Sequence, residues 1–188
     1  MGEYVPNTID RSSRFWWLGG FLVTVVGLAA LLQACKADPG RDTMNQADMG
    51  LWRVVDALAQ QIPFSKQKVE TVLSTRLKEE NRNDYTVFFE GVGGEPDKGV
   101  VISNVDLRLK LTGKDPGFLV LDISGACVTI DQVRARYGDI ELTGMPRGSS
   151  LEEEFNYSKF LPWGRVSFGF KEEKPDCLSS ISFHPKGS

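Results

Sequence analysis

Side chains that could act as nucleophiles or bases are few in this sequence. His184 is the only histidine, and it lies in the C-terminal segment SFHPKGS, where few residues remain to build a site around it. Nucleophilic hydrolysis needs a serine or cysteine beside a base, and the chain contains no G-x-S-x-G motif. We interpret His184 as a surface or strand-end residue in a frayed tail, and we predict no catalytic activity.

Paired carboxylates are the other chemistry that the sequence offers. Glu152, Glu153 and Glu154 are consecutive, and on an extended segment neighbouring side chains point to opposite faces. The segment predicts no apolar pocket that would raise the pKa of one of them, as an acid–base pair requires. We interpret the three glutamates as a solvated acidic edge that can also face a basic partner, because charges at the rim of an interface steer encounter.

Metal and cofactor motifs are absent from the sequence. Neither C-x-x-C nor H-E-x-x-H occurs, so no zinc site is predicted. The segments GVGGEPDKG and LTGKDPG each place a lysine beside a glycine, but neither fits the phosphate-binding pattern G-x-x-x-x-G-K-[ST], and both are interpreted as turns. We therefore expect no cofactor.

Composition and charge indicate one ordinary globular domain with an appendage. The 188 residues are 41% hydrophobic and 25% charged, with a net charge of −3 from 22 basic and 25 acidic residues. No excess of positive charge points to nucleic acid as a partner.

The appendage is a run of twenty uncharged residues from Phe15 to Ala34, preceded by Arg11 and Arg14. A membrane-spanning helix needs about 20 apolar residues, and a cleaved signal peptide has a shorter apolar core. The two arginines favour a cytoplasmic location for the N-terminal side. The run therefore predicts either an export signal or a single membrane span.

The end of the apolar run reads Leu32-Gln33-Ala34-Cys35, which resembles the lipobox of bacterial lipoproteins. This resemblance implies that Cys35 is acylated and becomes the N-terminus once the leader before it is removed, so residues 1–35 form a signal or anchor segment. An uncleaved span and a soluble protein stay open as alternatives. If the protein is a lipoprotein or keeps an uncleaved span, the tether 36–43 and the domain 44–188 lie outside the cytoplasm.

The other two cysteines, Cys127 and Cys177, form an even remainder once Cys35 is lipidated. In an oxidising compartment such a pair favours one disulfide. Two buried thiols are the alternative, because free cysteine is among the most buried residue types.

Residues 44–188 predict an α+β fold: a helical hairpin and a short helix packed on an antiparallel sheet. Apolar residues at helical spacing predict a helix over 51–62 and a second helix capped by Ser65, which the charged segment KEENRND closes. Period-two patterns then predict strands, with a short helix from Thr129 to Gly138 between them. The order also fits two α-then-β units, 44–124 and 125–188.

Aromatic residues crowd into the sixteen residues from Phe155 to Phe170. Most of them are expected to form the core of the sheet, because large aromatics dominate burial. Trp163 differs, since it lies in the connection LPWG, where burial is harder to arrange. Trp163 and Tyr157, flanked by Glu152, Glu153 and Glu154, would suit a protein-binding hot spot with a charged rim.

The pattern Ile130-x-x-Val133-x-x-x-Tyr137-Gly138, followed by strands that end in an aromatic-rich hairpin, resembles a unit of the β-lactamase-inhibitor-protein-like superfamily. That superfamily includes periplasmic inhibitors and small lipoproteins of the barrel-assembly machinery. The resemblance covers residues 127–183, with a weaker echo over 65–124 that lacks the Tyr-Gly ending. It implies helices layered on an antiparallel sheet whose exposed face binds another protein.

Together these features predict a non-catalytic, membrane-anchored protein of the bacterial cell envelope, facing the periplasm. Its expected role is to bind and inhibit another protein, as an immunity factor does with a toxin. A structural accessory lipoprotein of envelope assembly is the alternative.

Overall fold

The computed structural model describes residues 49–111 and 115–187. These residues form three helices and nine strands of one antiparallel sheet, which is an α+β fold dominated by the sheet. The predicted apolar segment, the lipobox at Cys35 and the tether lie outside the described residues. Within the described ranges, no helix has the length and apolar character needed to cross a membrane.

The described elements follow one another in a simple order. The helices are α1 (Met49–Ala59), α2 (Lys66–Leu73) and α3 (Ile130–Tyr137). The strands of the first half are β1 (Lys78–Arg82), β2 (Thr86–Gly91), β3 (Gly94–Asp97), β4 (Val100–Lys110) and β5 (Phe118–Gly125). Those of the second half are β6 (Glu141–Gly144), β7 (Glu154–Leu161), β8 (Gly164–Lys171) and β9 (Leu178–Pro185).

Helix α1 is held at its first turn by a strand residue. The Asp97 carboxylate accepts hydrogen bonds from the backbone N–H groups of Gly50 (3.2 Å) and Leu51 (2.7 Å). The first N–H groups of a helix have no partner within the helix, and a carboxylate satisfies them and the positive end of the helix dipole. Asp97 lies at the end of β3, so this contact fixes α1 against the sheet.

The two shorter helices begin with caps that the sequence predicts. The Ser65 side chain accepts a hydrogen bond from the backbone N–H of Lys68, and Ser74 ends α2 in the left-handed conformation. At α3, Thr129 and Gln132 form a reciprocal capping box, and Gly138 follows the last helical residue with φ +70°. The predicted caps at Ser65 and Thr129 are confirmed.

The strand order in the sheet is β1-β2-β4-β5-β9-β8-β7-β6, and β3 pairs with β4 outside this path. Strands β5 and β9 meet at the centre of the sheet, with Leu119 opposite Phe183 and Leu121 opposite Ile181. All of the described strand pairs are antiparallel.

One face of the sheet carries the hydrophobic core. Residues on this face pair with one another across neighbouring strands. An example is the row Leu107, Leu119, Phe183 and Val166 on β4, β5, β9 and β8, in which each residue is at most 1% exposed. They belong to one buried cluster with residues of the three described helices, namely Leu51, Val55, Leu58, Val69, Leu73 and Val133. We call this the helix-covered face.

Two segments differ from the sequence prediction. KEENR, expected to close the helical hairpin, forms the edge strand β1, and its five residues are exposed. Part of the expected turn GVGGEPDKG forms β3, because Gly94 and Asp97 pair with Ile102 and Val100. Each of these short strands gains its order from backbone pairing with a neighbour, which composition does not reveal.

The predicted disulfide between Cys127 and Cys177 is confirmed, with an S–S distance of 1.95 Å and a Cα–Cα distance of 5.0 Å. It joins the segment before α3 to the segment before β9, beside a hydrogen bond from Leu178 N–H to the Val128 carbonyl (2.8 Å).

Candidate functional site

The candidate site is the face of the sheet opposite the helix-covered face, which we call the open face. Side chains alternate between faces along a strand, so the strand positions between buried core residues define it. One row on this face crosses six strands: Phe88, Arg108, Phe118, His184, Arg165 and Phe160. At about 4.8 Å per strand, the row is about 24 Å long. We call it the aromatic–cation row.

The first half of the row is built around Arg108. Its guanidinium lies 5.7 Å from the ring centroid of Phe88 and 5.3 Å from that of Phe118, which are cation–π distances. Asp106 accepts hydrogen bonds from two nitrogens of the same guanidinium, at 3.0 and 2.6 Å. These hydrogen bonds raise the pKa of Arg108, so the cation is held in place and already has its counter-ion.

A cleft of about 290 Å³ opens at this half of the row, lined by Thr86, Phe88, Arg108, Lys110, Asp115 and Phe118. Its second cation, Lys110, forms an ion pair with Asp115 at 2.7 Å. The two cations of this cleft are thus each matched by a carboxylate.

The second half of the row is different in charge. The His184 ring contacts the Phe118 ring edge-on, with centroids 4.8 Å apart. Burial, and secondly the charge of Arg165, lowers the pKa of His184 to about 4, so the ring is neutral near neutral pH. Arg165 is half-buried, and its side chain makes no hydrogen bond or ion pair with another described residue. Phe160 is 54% exposed.

The expectation of a frayed tail around His184 is wrong. This residue lies within strand β9, where it pairs with Arg165 of β8. Its Nε2 lies 3.0 Å from the Ser182 Oγ, a serine–histidine contact that sequence reasoning missed. Residues two apart on a strand share a face, and that spacing was the available signal.

The Ser182–His184 pair lacks the other parts of a hydrolytic site. No carboxylate of the described residues hydrogen-bonds to the imidazole, whereas a catalytic histidine is oriented by such a group. A base with a pKa near 4 also accepts a proton weakly at neutral pH. The pair is better explained as a neutral hydrogen-bonded contact within the sheet surface.

Beside the second half of the aromatic–cation row, the open face carries small hydroxyl residues. Ser158 Oγ lies 2.6 Å from Thr143 Oγ1 and 2.7 Å from Ser167 Oγ, which links β6, β7 and β8. Ser158 and Ser167 are buried. Because their hydroxyls satisfy one another, these serines are buried beside the larger side chains of the row without unpaired polar groups.

A second cleft, of about 450 Å³, lies near the disulfide on the open face. Its charged lining residues are Asp122, Glu154, Lys171, Glu173 and Lys174. The charges are of both signs, and the described residues contain no group of three or more histidines, cysteines or carboxylates that could hold a metal ion. The chemistry of this cleft therefore singles out no ligand.

The three glutamates that the sequence singled out have three different environments. Glu152 forms an ion pair with Lys171 and is largely exposed. Glu153 accepts backbone hydrogen bonds from Arg147 and Gly148. Glu154 is half-buried and accepts hydrogen bonds from the Ser179 and Ser180 hydroxyls, both at 2.7 Å. Glu154 therefore does not belong to a uniformly solvated edge.

Tyr157 and Trp163 are partly buried against the core. Tyr157 is opposite Phe168 in register, and its ring meets the Phe170 ring edge-on at 5.8 Å. The Trp163 ring stacks on Phe183 with centroids 6.2 Å apart. Both aromatics therefore have packing partners inside the fold, whereas Phe160 of the same segment points to the open face.

No protein-family model matches the chain, and no curated protein or solved structure is significantly similar to it.

Proposed function

We propose that this protein is a non-catalytic, membrane-anchored protein of the bacterial envelope that binds and inhibits another protein through the open face of its sheet. The observation that carries the proposal is the aromatic–cation row. The solvated face of an antiparallel sheet normally carries polar residues. This row instead presents Phe88, Phe118 and Phe160 beside two arginines.

The composition of the row suits protein binding. Aromatic residues and arginine are enriched at protein–protein interfaces, and a few such residues carry most of the binding energy. A length of about 24 Å also matches the scale of a standard interface, which buries about 800 Å² on each partner.

The absence of catalysis is part of the proposal. The Ser182–His184 contact supplies neither an orienting carboxylate nor a strong base. The three glutamates are engaged in separate local contacts rather than in a shared acid–base pair. A binding protein needs none of these chemical groups.

The cysteines support the proposed anchoring. The Cys127–Cys177 disulfide uses two of the three cysteines, which leaves Cys35 of the lipobox-like segment for acylation and suits an oxidising compartment. The intact mass of the protein extracted from membranes tests this. A chain that begins at Cys35 and carries acyl groups is expected, and one that begins at Met1 would contradict cleavage.

The strand order supports the resemblance to the β-lactamase-inhibitor-protein-like superfamily. Strands β1, β2, β4 and β5 occupy one half of the sheet, β6 to β9 occupy the other, and helices precede each set along the chain. This arrangement agrees with two α-then-β units, 44–124 and 125–188. Tyr157, Trp163 and Glu152, Glu153 and Glu154 stay predictions as partner contacts.

Site-specific cross-linking in living cells tests the binding function. A photoreactive phenylalanine analogue at position 160 should cross-link to a partner protein, because this side chain stands on the open face. The same analogue at Tyr85, which is 72% exposed beside the edge strand β1, is the matched control. Equal cross-linking at both positions, or none at either, would contradict the proposed face.

Inhibition is tested separately from binding. A strain that lacks the protein should be harmed only when the cross-linked partner is produced, if the protein neutralises that partner. General envelope defects in the absence of the partner would instead favour a structural role in envelope assembly.

A further inference from the structure

We propose that the open face recognises a protein segment that presents a carboxylate flanked by aromatic side chains, and that Arg165 binds this carboxylate. The proposal rests on the proposed function and specifies the partner's chemistry. The recognition element is the second half of the aromatic–cation row, from Phe118 to Phe160.

The two arginines of the row differ in their charge pairing. Arg108 holds Asp106 through a two-nitrogen contact at 3.0 and 2.6 Å. Arg165 contacts no carboxylate of the described residues and yet is half-buried. A guanidinium without a counter-ion can bind a carboxylate of the partner. Its planar fork of N–H groups matches the two oxygens of the carboxylate.

The neighbours of Arg165 in register leave its charge unbalanced. Phe160 on β7 and His184 on β9 lie on either side of it. The imidazole is neutral near neutral pH because its pKa is lowered to about 4. On these three strands, the positions of the adjacent row are uncharged serines: Ser158, Ser167 and Ser182. The immediate register neighbours of Arg165 on the open face are therefore an aromatic ring, a neutral imidazole and hydroxyl groups, and none of them balances its charge.

The apolar surroundings select the rest of the partner segment. The rings of Phe118 and Phe160 lie on opposite sides of the His184–Arg165 pair, and Phe160 is 54% exposed. Aromatic rings prefer edge-to-face or offset contacts with other rings. A segment with an aromatic residue on each side of its carboxylate would therefore engage both phenylalanines while its carboxylate reaches Arg165.

Charge also argues against a nucleic acid on this face. Stacking rings and arginines can bind single strands, but such sites follow the phosphate backbone with a groove of positive charge. Here Glu90, Asp106 and Asp122 share the open face, and the chain has a net charge of −3. These carboxylates would repel the successive phosphates of a nucleic acid. A single carboxylate of a protein partner can bind at Arg165 without approaching them.

The test uses the full-length protein in detergent and three defined probes. The first is the peptide acetyl-(4-fluoro)Phe-Gly-Glu-Gly-Phe-amide, whose three large side chains share one face when it is extended; the second has Gln in place of Glu, and the third is a single-stranded oligothymidine. Binding of the peptides is followed by fluorine NMR of the peptide, and binding of the oligonucleotide is measured by its displacement of the Glu peptide.

The Glu peptide is expected to bind at least about tenfold more tightly than the Gln peptide, with a preference that weakens as salt is added. Arg165→Gln should reduce this preference to less than about twofold, and Arg165→Lys should keep part of it. Arg108→Gln is the matched control, and the preference should survive it because Arg108 is already paired. Circular dichroism establishes that each variant is folded.

Equal binding of the two peptides, or a Glu preference that survives Arg165→Gln, would overturn the proposal. Tighter binding of oligothymidine than of the Glu peptide would also overturn it. Cross-linking from position 160 separates this failure from that of the proposed function. If a protein is captured there while the peptides do not discriminate, the binding face stands and the assigned carboxylate chemistry is wrong.

Discussion

The Glu154 carboxylate lies directly over the Cα of Gly169, on the open face of the sheet. A Cβ built at position 169 would overlap both Glu154 Oε2 and Ser180 Oγ. From this position the carboxylate accepts hydrogen bonds from Ser179 and Ser180 at 2.7 Å each. Glycine at 169 thus makes room for a bridge between β7 and β9 across the intervening strand β8.

Gly169→Ala is therefore expected to destabilise the protein by about 2 kcal/mol, as overpacking in a close-packed region does. The measurement is the urea concentration at the midpoint of unfolding. Gly144→Ala is the matched control on edge strand β6, where the added Cβ would lie 3.2 Å from Asn156 Cβ. In a Glu154→Ala background the cost of Gly169→Ala should shrink, because contacting sites couple. Equal costs for both glycine substitutions would contradict the bridge.

His184 is expected to make stability depend on pH. Its pKa is about 4 in the folded protein and about 6.5 in an unfolded chain. The unfolded state therefore binds more protons between these values, and folding stability falls as the pH drops from about 6.5 towards 4. Since the ring is only half-buried, solvent screening reduces the effect to about 1 kcal/mol.

This pH dependence is measured by urea unfolding at about pH 7 and about pH 4.5. His184→Gln should narrow the difference in stability between the two pH values by about 1 kcal/mol, because glutamine does not titrate. A difference that is unchanged in His184→Gln would show that other groups carry the pH dependence.

Reduction of the Cys127–Cys177 disulfide is expected to lower the free energy of unfolding by about 4 kcal/mol. The bridge closes a loop with a sequence separation of 50, and chain entropy in the unfolded state scales with the logarithm of loop length. Unfolding with and without reductant measures the effect. Cys35→Ser is the control and should leave the response to reductant unchanged, whereas Cys177→Ser should abolish it.

The hydroxyl of Tyr137 is expected to contribute nothing favourable to stability. It is buried and makes no hydrogen bond with another described residue, while its ring packs 5.7 Å from Trp52 and 4.9 Å from Phe168. Tyr137→Phe should therefore leave the protein equally stable or stabilise it by up to about 1 kcal/mol. Tyr137→Ala should cost about 3 kcal/mol because the ring is lost. Destabilisation by Tyr137→Phe in thermal unfolding would reveal a partner for the hydroxyl.

Local signals in the sequence were sufficient for the helix caps and the long strands. The capping residues Ser65 and Thr129 act within three residues of their partners, so the relevant contacts lie inside a short window. Strand β4 shows period-two alternation, and it is half-buried as predicted. The Cys127–Cys177 pairing followed from an even count after Cys35 was set aside.

The short edge strand and the candidate site required long-range information. KEENR has the composition of a solvated connection, and only its pairing with β2 makes it a strand. The aromatic–cation row joins Phe88 to Phe160 through four intervening strands. Alternation places Phe160 on the face opposite to Phe155 and Tyr157, but which face the helices cover is decided by tertiary packing.

Strand β9, the last strand of the described chain, lies in the centre of the sheet between β5 and β8. The register pairs Leu119 with Phe183, so the two halves cannot join until this last strand has been synthesised. Pairings so distant along the chain form slowly, and an incomplete sheet exposes apolar edges in the meantime. A chain that ended before β9 would therefore leave β5 and β8 with unpaired edges and the two halves of the sheet unjoined.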